Sequence, residues 1–482
     1  MYDNEEIINF INNEITTVPI NLNRKITKNN KKFGYKDEFY EIKGFMDDFL
    51  DGYDMNRYIV LPGLRGVGKT TILYQIYDYL MKEKNINQNQ IFYLSCEKLN
   101  ERFEFKILDV IESFIKFHHD STLRTLDKEI FLLIDEAQYD HNWALSGKII
   151  YDETNKIFMI FTGSSALNLE YNADSARRLL KRIITPLNYG QHLKLKYNYK
   201  SGSVSEALIE LIFTGNTTKA IETEKKINSD IYNIGGYTEN EWDNYLMYGG
   251  FPVSFFEKDS TIILERLEAV AKKVVSTDMN NIGSISANSQ VNSIRLLNYL
   301  ALQQPGEISQ NNIANYLDCS STTIKNILDI LEKTHLIFHV EAYGSTSKRD
   351  KKSWKYYFAT SSLRHALVSK IGNTMKNQVA YQGMLFENLV ASSFFNLRQH
   401  GDILFNTYYD DNKKRNVDFV IQQEFNKPIP VEVSIGKKDK KQVLNAIRRY
   451  NSDYGIVISN KTDHIVQEDN VIFIPVQTFS FI

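Results

Sequence analysis

The sequence predicts a multidomain α/β protein, and three observations lead to that prediction. The chain has 482 residues, which at roughly 150 residues per domain suggests about three domains, each with its own core. From Tyr58 to about residue 190, short apolar strands alternate with helical segments, the pattern of a parallel sheet covered by helices. Within this region a glycine-rich turn stands between a strand and a helix. We therefore expect a parallel-sheet core followed by further domains.

Composition and charge restrict the class of protein. The chain is 43% hydrophobic and 24% charged, as in ordered globular proteins. Its net charge of −2 provides no overall positive field, so any nucleic-acid site must be a local patch. The two cysteines, Cys96 and Cys319, are too few for a disulfide framework. Since the N-terminus has no apolar signal region and no segment approaches the ~20 apolar residues of a membrane span, we expect a cytoplasmic protein without a membrane partner.

The predicted segments follow one another in five parts. Residues 1–45 form an N-terminal segment, and the helical pattern FYEIKGFMDDFL leads from it into the core. Residues 46–190 are the core, with strands RYIVL, QIFYL, FLLID and IFMIF, and residues 191–282 are predicted to be a helical lid. Residues 283–375 show three helical patterns and then two strand patterns around a polar hairpin, the order of a winged helix-turn-helix. Residues 380–482 are predicted to form a C-terminal α/β domain.

The glycine-rich turn GLRGVGKT fits the phosphate-binding pattern GxxxxGK[ST] and has the strand and helix flanks that this pattern requires. Glycines let the N–H groups of the loop surround phosphate oxygens, Lys69 can reach the β- and γ-phosphates, and Thr70 can hold Mg²⁺. We therefore expect ATP and Mg²⁺ as cofactors. The loop residues predicted to bind them are Gly63, Arg65, Gly66, Val67, Gly68, Lys69, Thr70 and Thr71.

In FLLIDEAQ two acidic residues directly follow four apolar residues of a predicted buried strand. Asp135 is predicted to orient the Mg²⁺ shell, and Glu136 to polarise the attacking water. The next strand ends in IFMIFTGSSAL, where Thr162, Ser164 or Ser165 could touch the γ-phosphate or the water. A strand followed by two acids is often only structural, but together with the phosphate loop it indicates hydrolysis.

A basic helical run, SARRLLKR, comes next and contains Arg177, Arg178 and Arg182. It is either a solvated basic face or the source of an arginine finger that reaches a neighbouring subunit's ATP. The second interpretation, with Arg177 and Arg178 as catalytic candidates, predicts a homo-oligomer.

Together these motifs resemble the AAA+ superfamily, in particular archaeal and bacterial ATPases that join this core to a winged helix and a nuclease-like C-terminal domain. The resemblance is carried by GLRGVGKTT, FLLIDEAQ, the segment around Trp143, TGSSAL, SARR followed by PLNYG, and GGFP. It covers most of the chain from about residue 40. It implies an ATP-driven switch or ring-forming machine, in which GGFP, through Pro252, contacts the nucleotide from the lid. The alternative for Pro252 is a turn that starts a helix.

The winged-helix segment is the candidate for binding double-stranded DNA. Its second helix would start near Ser320, with Thr322, Thr323 and Lys325 at the end that enters a major groove. The hairpin KRDKKSWK, residues 348–355, has five positive charges and one negative charge, as expected of a wing that contacts phosphates. Winged helices also bind proteins, and charged hairpins are often only solvated.

Glu387 in a predicted helix, and Asp418 and Glu432 in successive predicted strands, resemble the PD-(D/E)XK nuclease fold. The resemblance implies that the three acids bind Mg²⁺ or Mn²⁺ and that a lysine two positions after the last acid steadies a hydroxide. That position is Ser434, whose hydroxyl supplies no charge. We therefore expect slow cleavage or none. The lysines that follow could supply the charge or form a basic edge: Lys437, Lys438, Lys440 and Lys441.

The expected function is that of a cytoplasmic, Mg²⁺-dependent AAA+ ATPase that acts on or with DNA, in defence or mobile-element biology by analogy with its relatives. The alternative is a nucleotide-dependent switch that signals through protein contacts with unknown partners. In that case the winged helix and an inactive nuclease-like domain are interaction modules.

Overall fold

The computed structural model describes residues 4–28, 31–103, 105–164, 177–282, 286–372, 378–401, 403–412, 415–435 and 440–482. The chain divides into two compact units, residues 1–184 and 185–482. Among the described residues, no helix is long and apolar enough to cross a membrane.

The first unit contains the predicted parallel sheet. Its strands lie in the order β4-β5-β6-β3-β7, and all neighbouring strands are parallel. Every residue of β3 to β6 is buried, which is why these strands are continuous apolar runs. Their bounds are β3 Tyr58–Pro62, β4 Ile91–Ser95, β5 Ile130–Asp135, β6 Ile157–Gly163 and β7 Leu180–Lys181; a two-residue ribbon, β1 Thr27–Lys28 and β2 Lys31–Lys32, precedes them.

Helices cover both faces of this sheet. Leu94 and Leu132 face one hydrophobic cluster with Phe10 and Phe114, whereas Phe131 packs edge-on against Phe49 from the opposite side. The helices are α1 Asn4–Ile26, α2 Asp37–Leu50, α3 Lys69–Lys82, α4 Cys96–Arg102, α5 Ile107–His119 and α6 Trp143–Glu153. The helix predicted from FYEIKGFMDDFL is thus part of α2. The long α1 was not predicted; its buried Ile7, Phe10, Ile11 and Ile15 recur at helical spacing.

The second unit is built on a mixed sheet of eight strands in the order β14-β15-β13-β12-β11-β10-β8-β9. The strands are β8 Ile337–Ala342, β9 Lys355–Phe358, β10 Asn406–Tyr409, β11 Phe419–Gln422, β12 Ile429–Ser434, β13 Gly455–Ser459, β14 Val466–Glu468 and β15 Val471–Pro475. Its helices are α7 Tyr189–Tyr197, α8 Val204–Thr214, α9 Thr218–Ile231, α10 Glu241–Tyr248, α11 Ser260–Lys273, α12 Met279–Ile282, α13 Ala287–Leu302, α14 Gln310–Leu317, α15 Ser321–Lys333, α16 Thr346–Arg349, α17 Ser361–Lys370, α18 Gln378–His400, α19 Lys441–Tyr450 and α20 Val476–Phe479.

The segments predicted as lid, winged helix and C-terminal domain are not separate within this unit. Strands β8 and β9 belong to the predicted winged helix, yet β8 pairs in parallel with β10 through Tyr408 and Glu341. Leu208 and Trp242 of the predicted lid share a hydrophobic cluster with Phe386 and Phe479 of the C-terminal segment. The reason is that the lid helices bury apolar residues in the same cluster as residues of the sheet. The boundaries expected near residues 282 and 375 lie within one compact unit, residues 185–482, and stay predictions.

Candidate functional site

The phosphate loop lies between β3 and the first turn of α3, as predicted. Gly66 and Gly68 have φ angles of 82° and 106°, a left-handed conformation that only glycine adopts without strain. At Gly63 a Cβ atom would lie 2.4 Å from the carbonyl oxygen of Ile184. The loop geometry thus explains these glycines. Because α3 begins at Lys69, its first turn, which includes Thr70 and Thr71, is an anion-binding helix start next to the loop.

Lys69 lies within the curl of this loop. Its side chain is only 5% exposed, and Nζ donates hydrogen bonds to the carbonyl oxygens of Gly63 at 2.8 Å and Leu64 at 3.1 Å. A phosphate group held by the N–H groups of the loop would be within reach of this ammonium. Val67 is fully buried beneath the loop.

Asp135 is the centre of a hydrogen-bond network at the end of β5. Its carboxylate is 4% exposed and accepts hydrogen bonds from Thr70 Oγ1 at 2.9 Å, Tyr93 Oη at 2.8 Å and the hydroxyl of Thr162. Burial, and then the neighbouring charge of Glu136, raise the pKa of Asp135, while the hydroxyl donors oppose that rise. The carboxylate and hydroxyl oxygens are hard ligands of the kind that Mg²⁺ prefers. The structure thus brings Thr70 and Asp135 together as the sequence predicts.

Glu136 follows in a left-handed backbone conformation, with φ of 54°, which is uncommon for a residue other than glycine and often marks a functional site. Its carboxylate accepts a hydrogen bond from Gln138 Nε2 and lies 3.9 Å from the guanidinium of Arg65. Gln138 also accepts a hydrogen bond from the backbone N–H of Ser164 at 3.2 Å. Gln138 therefore fixes Glu136 relative to the end of β6.

Two candidates at the end of β6 have different environments. Ser164 is buried, and its Oγ has no hydrogen-bond partner among the residues that the structure describes. The hydroxyl of Thr162 instead donates a hydrogen bond to Asp135. Ser165 lies outside the described residues.

Three residues near the phosphate loop were not predicted from the sequence. Tyr93 reaches Asp135 from the neighbouring strand, and Gln138 reaches Glu136 from two positions along the chain. Lys36 is buried with Nζ 3.5 Å from the carbonyl oxygen of Val67, and burial lowers its pKa. Gln138 could have been found from the sequence, because it belongs to the stretch DEAQ together with the two acids. Tyr93 and Lys36 reach the site only through contacts between segments that are distant in sequence.

The arginines of SARRLLKR have different environments. Arg178 Nε donates to Asp152 at 2.6 Å, and Arg182 pairs with Glu41. The side chain of Arg177 is exposed. Of the two finger candidates, Arg177 is thus the one whose side chain extends into solvent.

Pro252 begins a short 3-10 helix, Pro252–Phe255, in the second unit. Just before it, Gly250 has a φ angle of 84°, and a Cβ there would lie 2.8 Å from Thr360 Cγ2. The carbonyl oxygen of Gly249 accepts a hydrogen bond from Ser362. The GGFP turn therefore packs on the start of α17, and a nucleotide contact by Pro252 stays a prediction.

The helices α13, α14 and α15 and the strands β8 and β9 occur in the predicted order. Ser320 caps α15 by accepting a hydrogen bond from the N–H of Thr323 at 3.0 Å, and Lys325 is exposed on its second turn. Lys325 and Lys351 line a groove of about 340 Å³ with Gln310 and Trp354. Neither lysine forms an ion pair with another described residue.

Most of the positive charge expected in the hairpin is neutralised within the protein. Asp411 pairs with Lys348 at 2.7 Å and with Lys352 at 3.1 Å, and Arg349 lies 3.5 Å from Glu341. Lys355 is buried. The hairpin includes the short helix α16, and Lys351 is its one basic residue that is both exposed and outside an ion pair with the described residues.

The structure brings Glu387 of α18, Asp418 just before β11 and Glu432 of β12 into one acidic site. Asp418 accepts a hydrogen bond from Val433 N at 2.7 Å, and Glu387 accepts one from Tyr357 Oη at 2.7 Å. Burial, and then the neighbouring carboxyl groups, raise the pKa of Glu387 to about 7 and that of Glu432 to about 10. Burial also raises the pKa of Asp418.

The fit of this acidic site to a metal ion is partial. Glu432 Oε2 is buried without a hydrogen-bond partner among the described residues, as expected of an oxygen that binds a cation. However, the described part of the chain contains no group of three or more His, Cys, Asp or Glu side chains that could hold a metal ion as placed. Lys437 and Lys438 lie outside the described residues. Lys440 lies near Glu468 and Asp469.

Three regions of the chain are similar to known protein families. Residues 55–193 match the family described as AAA domain. Residues 239–374 match a domain of unknown function (DUF8612), and residues 382–479 match another, DUF4143.

Similar proteins include two curated relatives. The uncharacterized protein MJ1637 of Methanocaldococcus jannaschii is 31% identical over 475 residues, 98% of this chain and 94% of that protein. An uncharacterized protein of Haemophilus influenzae is 23% identical over 346 residues, 70% of this chain and 76% of that protein. Among solved structures, the Aeropyrum pernix ORC2 protein in ADPNP-ADP complexes is 13% identical, with a TM-score of 0.36 over 73% of this chain and 99% of that one.

Proposed function

The chain belongs to the same family as the uncharacterized protein MJ1637 of Methanocaldococcus jannaschii, and from its AAA domain and phosphate loop we propose that it is a Mg²⁺-dependent ATPase acting on or with double-stranded DNA. The observation that carries the proposal is the contact between Thr70 and Asp135 at 2.9 Å, beside a loop whose glycines and Lys69 suit the phosphates of ATP. We further propose a cytoplasmic protein that works as a homo-oligomer.

Each residue of the site has a distinct task in this reaction. Lys69 and the N–H groups of the loop bind the phosphates, and Thr70 and Asp135 would hold Mg²⁺, which supplies charge neutralisation. Glu136 orients the water that attacks the γ-phosphorus, so that one phosphoanhydride bond breaks and ADP and phosphate form. Gln138 keeps the Glu136 carboxylate in place through the hydrogen bond that it donates.

Self-association is the second part of the proposal, and Arg177 carries it. An arginine finger must extend from the surface to act on a neighbouring subunit's nucleotide. Arg177 is exposed, whereas Arg178 is already bound to Asp152. We therefore assign the arginine finger to Arg177. Arg178, through its ion pair with Asp152, would position the segment that contains Arg177.

Arg177→Ala is expected to slow ATP turnover roughly a thousandfold, the order of an arginine finger's contribution, without weakening ATP binding. Arg124→Ala, which removes an exposed arginine paired with Glu153, should leave turnover unchanged. Mixing Arg177→Ala with Glu136→Gln subunits should restore part of the steady-state rate at mixed interfaces. A protein that stays monomeric with ATP at micromolar concentration, with turnover independent of protein concentration, would contradict the assignment.

Binding to DNA is assigned to the groove between α15 and the hairpin. Lys325 and Lys351 contribute charge from its two sides, and Trp354 and Tyr356 lie in the same groove. A lysine or arginine contributes to DNA binding when it neutralises a phosphate and releases the counterion condensed there. Its charge must therefore not already be paired within the protein. The internal pairing of Lys348 and Lys352 with Asp411 makes these two lysines poorer candidates than the hairpin sequence suggests.

The double variant Lys325→Ala/Lys351→Ala is expected to weaken duplex DNA binding and to reduce the slope of log affinity against log salt by about 2, roughly one per lost phosphate contact. Lys348→Ala is the matched control, because its ammonium is held by Asp411. ATP turnover, measured with and without duplex DNA, should rise with DNA in the unaltered protein and not in the double variant. A turnover rate that never responds to DNA would favour the alternative below.

The second candidate function is a nucleotide-dependent switch that signals through protein contacts. It is favoured by the neutralised charge of the hairpin and by the lack of metal-binding spacing among the described acids. In that case the helix-turn-helix and the acidic site serve as interaction modules. For the main proposal, Glu387, Asp418 and Glu432 instead bind Mg²⁺ or Mn²⁺, with little or no cleavage of DNA.

A further inference from the structure

Lys355 lies inside the protein although the sequence suggests a solvated basic hairpin. It is the first residue of β9 and is 6% exposed. Its Nζ is 3.7 Å from Glu387 Oε1 and 5.5 Å from the centre of the Tyr409 ring. Burying an ammonium is costly unless a negative group accompanies it, so this position depends on the acids.

The same face of β9 contacts Glu387 twice. Tyr357 is two residues after Lys355, so its side chain points to the same side of the strand, and its hydroxyl donates to Glu387 at 2.7 Å. Lys355 and Tyr357 thus both reach the acidic site through the Glu387 carboxylate.

Arg364 is a second buried cation whose charge acts on Glu387. Its Nε donates to the carbonyl oxygen of Ala301 at 3.2 Å, and its Nη2 donates to that of Gln303. These bonds hold the guanidinium at the end of α13. Lys355 is thus the cation that is directed at the acidic site.

We propose that Lys355 is the internal cation of the acidic site and that a divalent metal ion of the Mg²⁺ or Mn²⁺ class binds Glu387, Asp418 and Glu432 in competition with its ammonium. This inference rests on the metal role proposed above for the three acids. It explains why the acids lie together without the spacing of a metal site, since an ammonium needs no ring of oxygen ligands. The positive charge of the acidic site then comes from Lys355 and not from the residue at position 434.

The expected result is a gain in metal affinity when Lys355 is removed. In full-length, nucleotide-free protein carrying Asp135→Asn, which disables the first-unit metal site, Lys355→Met should bind Mn²⁺ at least about tenfold more tightly, because a competing unit charge is gone. Isothermal titration with MnCl₂ measures this. Lys355→Arg keeps the charge and should show no gain, and adding Asp418→Asn to Lys355→Met should abolish the gain.

The possible results distinguish the competition by Lys355 from the proposed metal-binding role of the three acids. If the parent protein binds Mn²⁺ and Lys355→Met binds it no more tightly, the metal role of the acids stands and the competition is refuted. If neither protein binds Mn²⁺ up to millimolar concentration, the metal role fails and the inference fails with it. Lys355→Gln, which keeps a polar side chain, replaces Lys355→Met if thermal melting shows that the latter does not fold.

Discussion

Replacing Lys69 with alanine is expected to abolish tight ATP binding. The variant loses charge-assisted hydrogen bonds to two phosphates, each worth about 1.5–3 kcal/mol, so affinity should fall by more than roughly a hundredfold. Hydrolysis should fall with it, because ATP no longer occupies the loop. Equilibrium binding of a fluorescent ATP analogue measures the effect.

Lys82→Ala provides the control for this variant. Lys82 is on the same helix, α3, but at its other end, where it is largely exposed and pairs with Asp78. Its removal should leave ATP binding unchanged. Retention of full affinity by Lys69→Ala would show that the loop does not hold the nucleotide as proposed.

Glu136→Gln is expected to separate binding from hydrolysis. Glutamine has nearly the same shape but cannot accept a proton from the attacking water, and loss of a general base costs roughly 10²- to 10⁴-fold in rate. Because Glu136 lies outside the phosphate loop and has no role in binding the phosphates in this proposal, ATP affinity should stay unchanged and bound ATP should accumulate. Single-turnover hydrolysis together with a filter-binding assay measures both quantities.

The same substitution at Glu153, a carboxylate paired with Arg124 on the surface, should have no effect on either quantity. If Glu136→Gln and Lys69→Ala lost ATP binding equally, the distinct roles assigned to them would be wrong. If Glu136→Gln hydrolysed ATP at the full rate, another residue would have to orient the water.

The core of the first unit was predictable because its signals are local. Strands buried on both faces of a parallel sheet must be continuous apolar runs, so β3 to β6 stand out in the sequence. The glycines and Lys69 follow from the geometry of a loop around phosphate. The two acids at the end of β5, Asp135 and Glu136, were found for the same reason, since the end of a strand fixes where a side chain is placed.

Features that depend on distant segments were not predictable. Tyr93 reaches Asp135 only because β4 and β5 are neighbours, and no local pattern specifies that pairing. Lys355 is one of several cations in a polar hairpin, and its contact with Glu387 of α18, distant in sequence, distinguishes it from the others. Helix α1 is rich in Asn and Glu, so its apolar stripe was too weak to predict a 23-residue helix.

The pairing of β8 with β10 has a consequence for how this protein can be dissected. Expression of residues 380–482 alone would leave β10 as an outer strand with free backbone N–H and C=O groups on one side, a template for aggregation. The complementary fragment, ending near residue 375, would leave β8 in the same condition. A soluble fragment for crystallisation or interaction screening should therefore keep the helix-turn-helix and the C-terminal strands on one polypeptide.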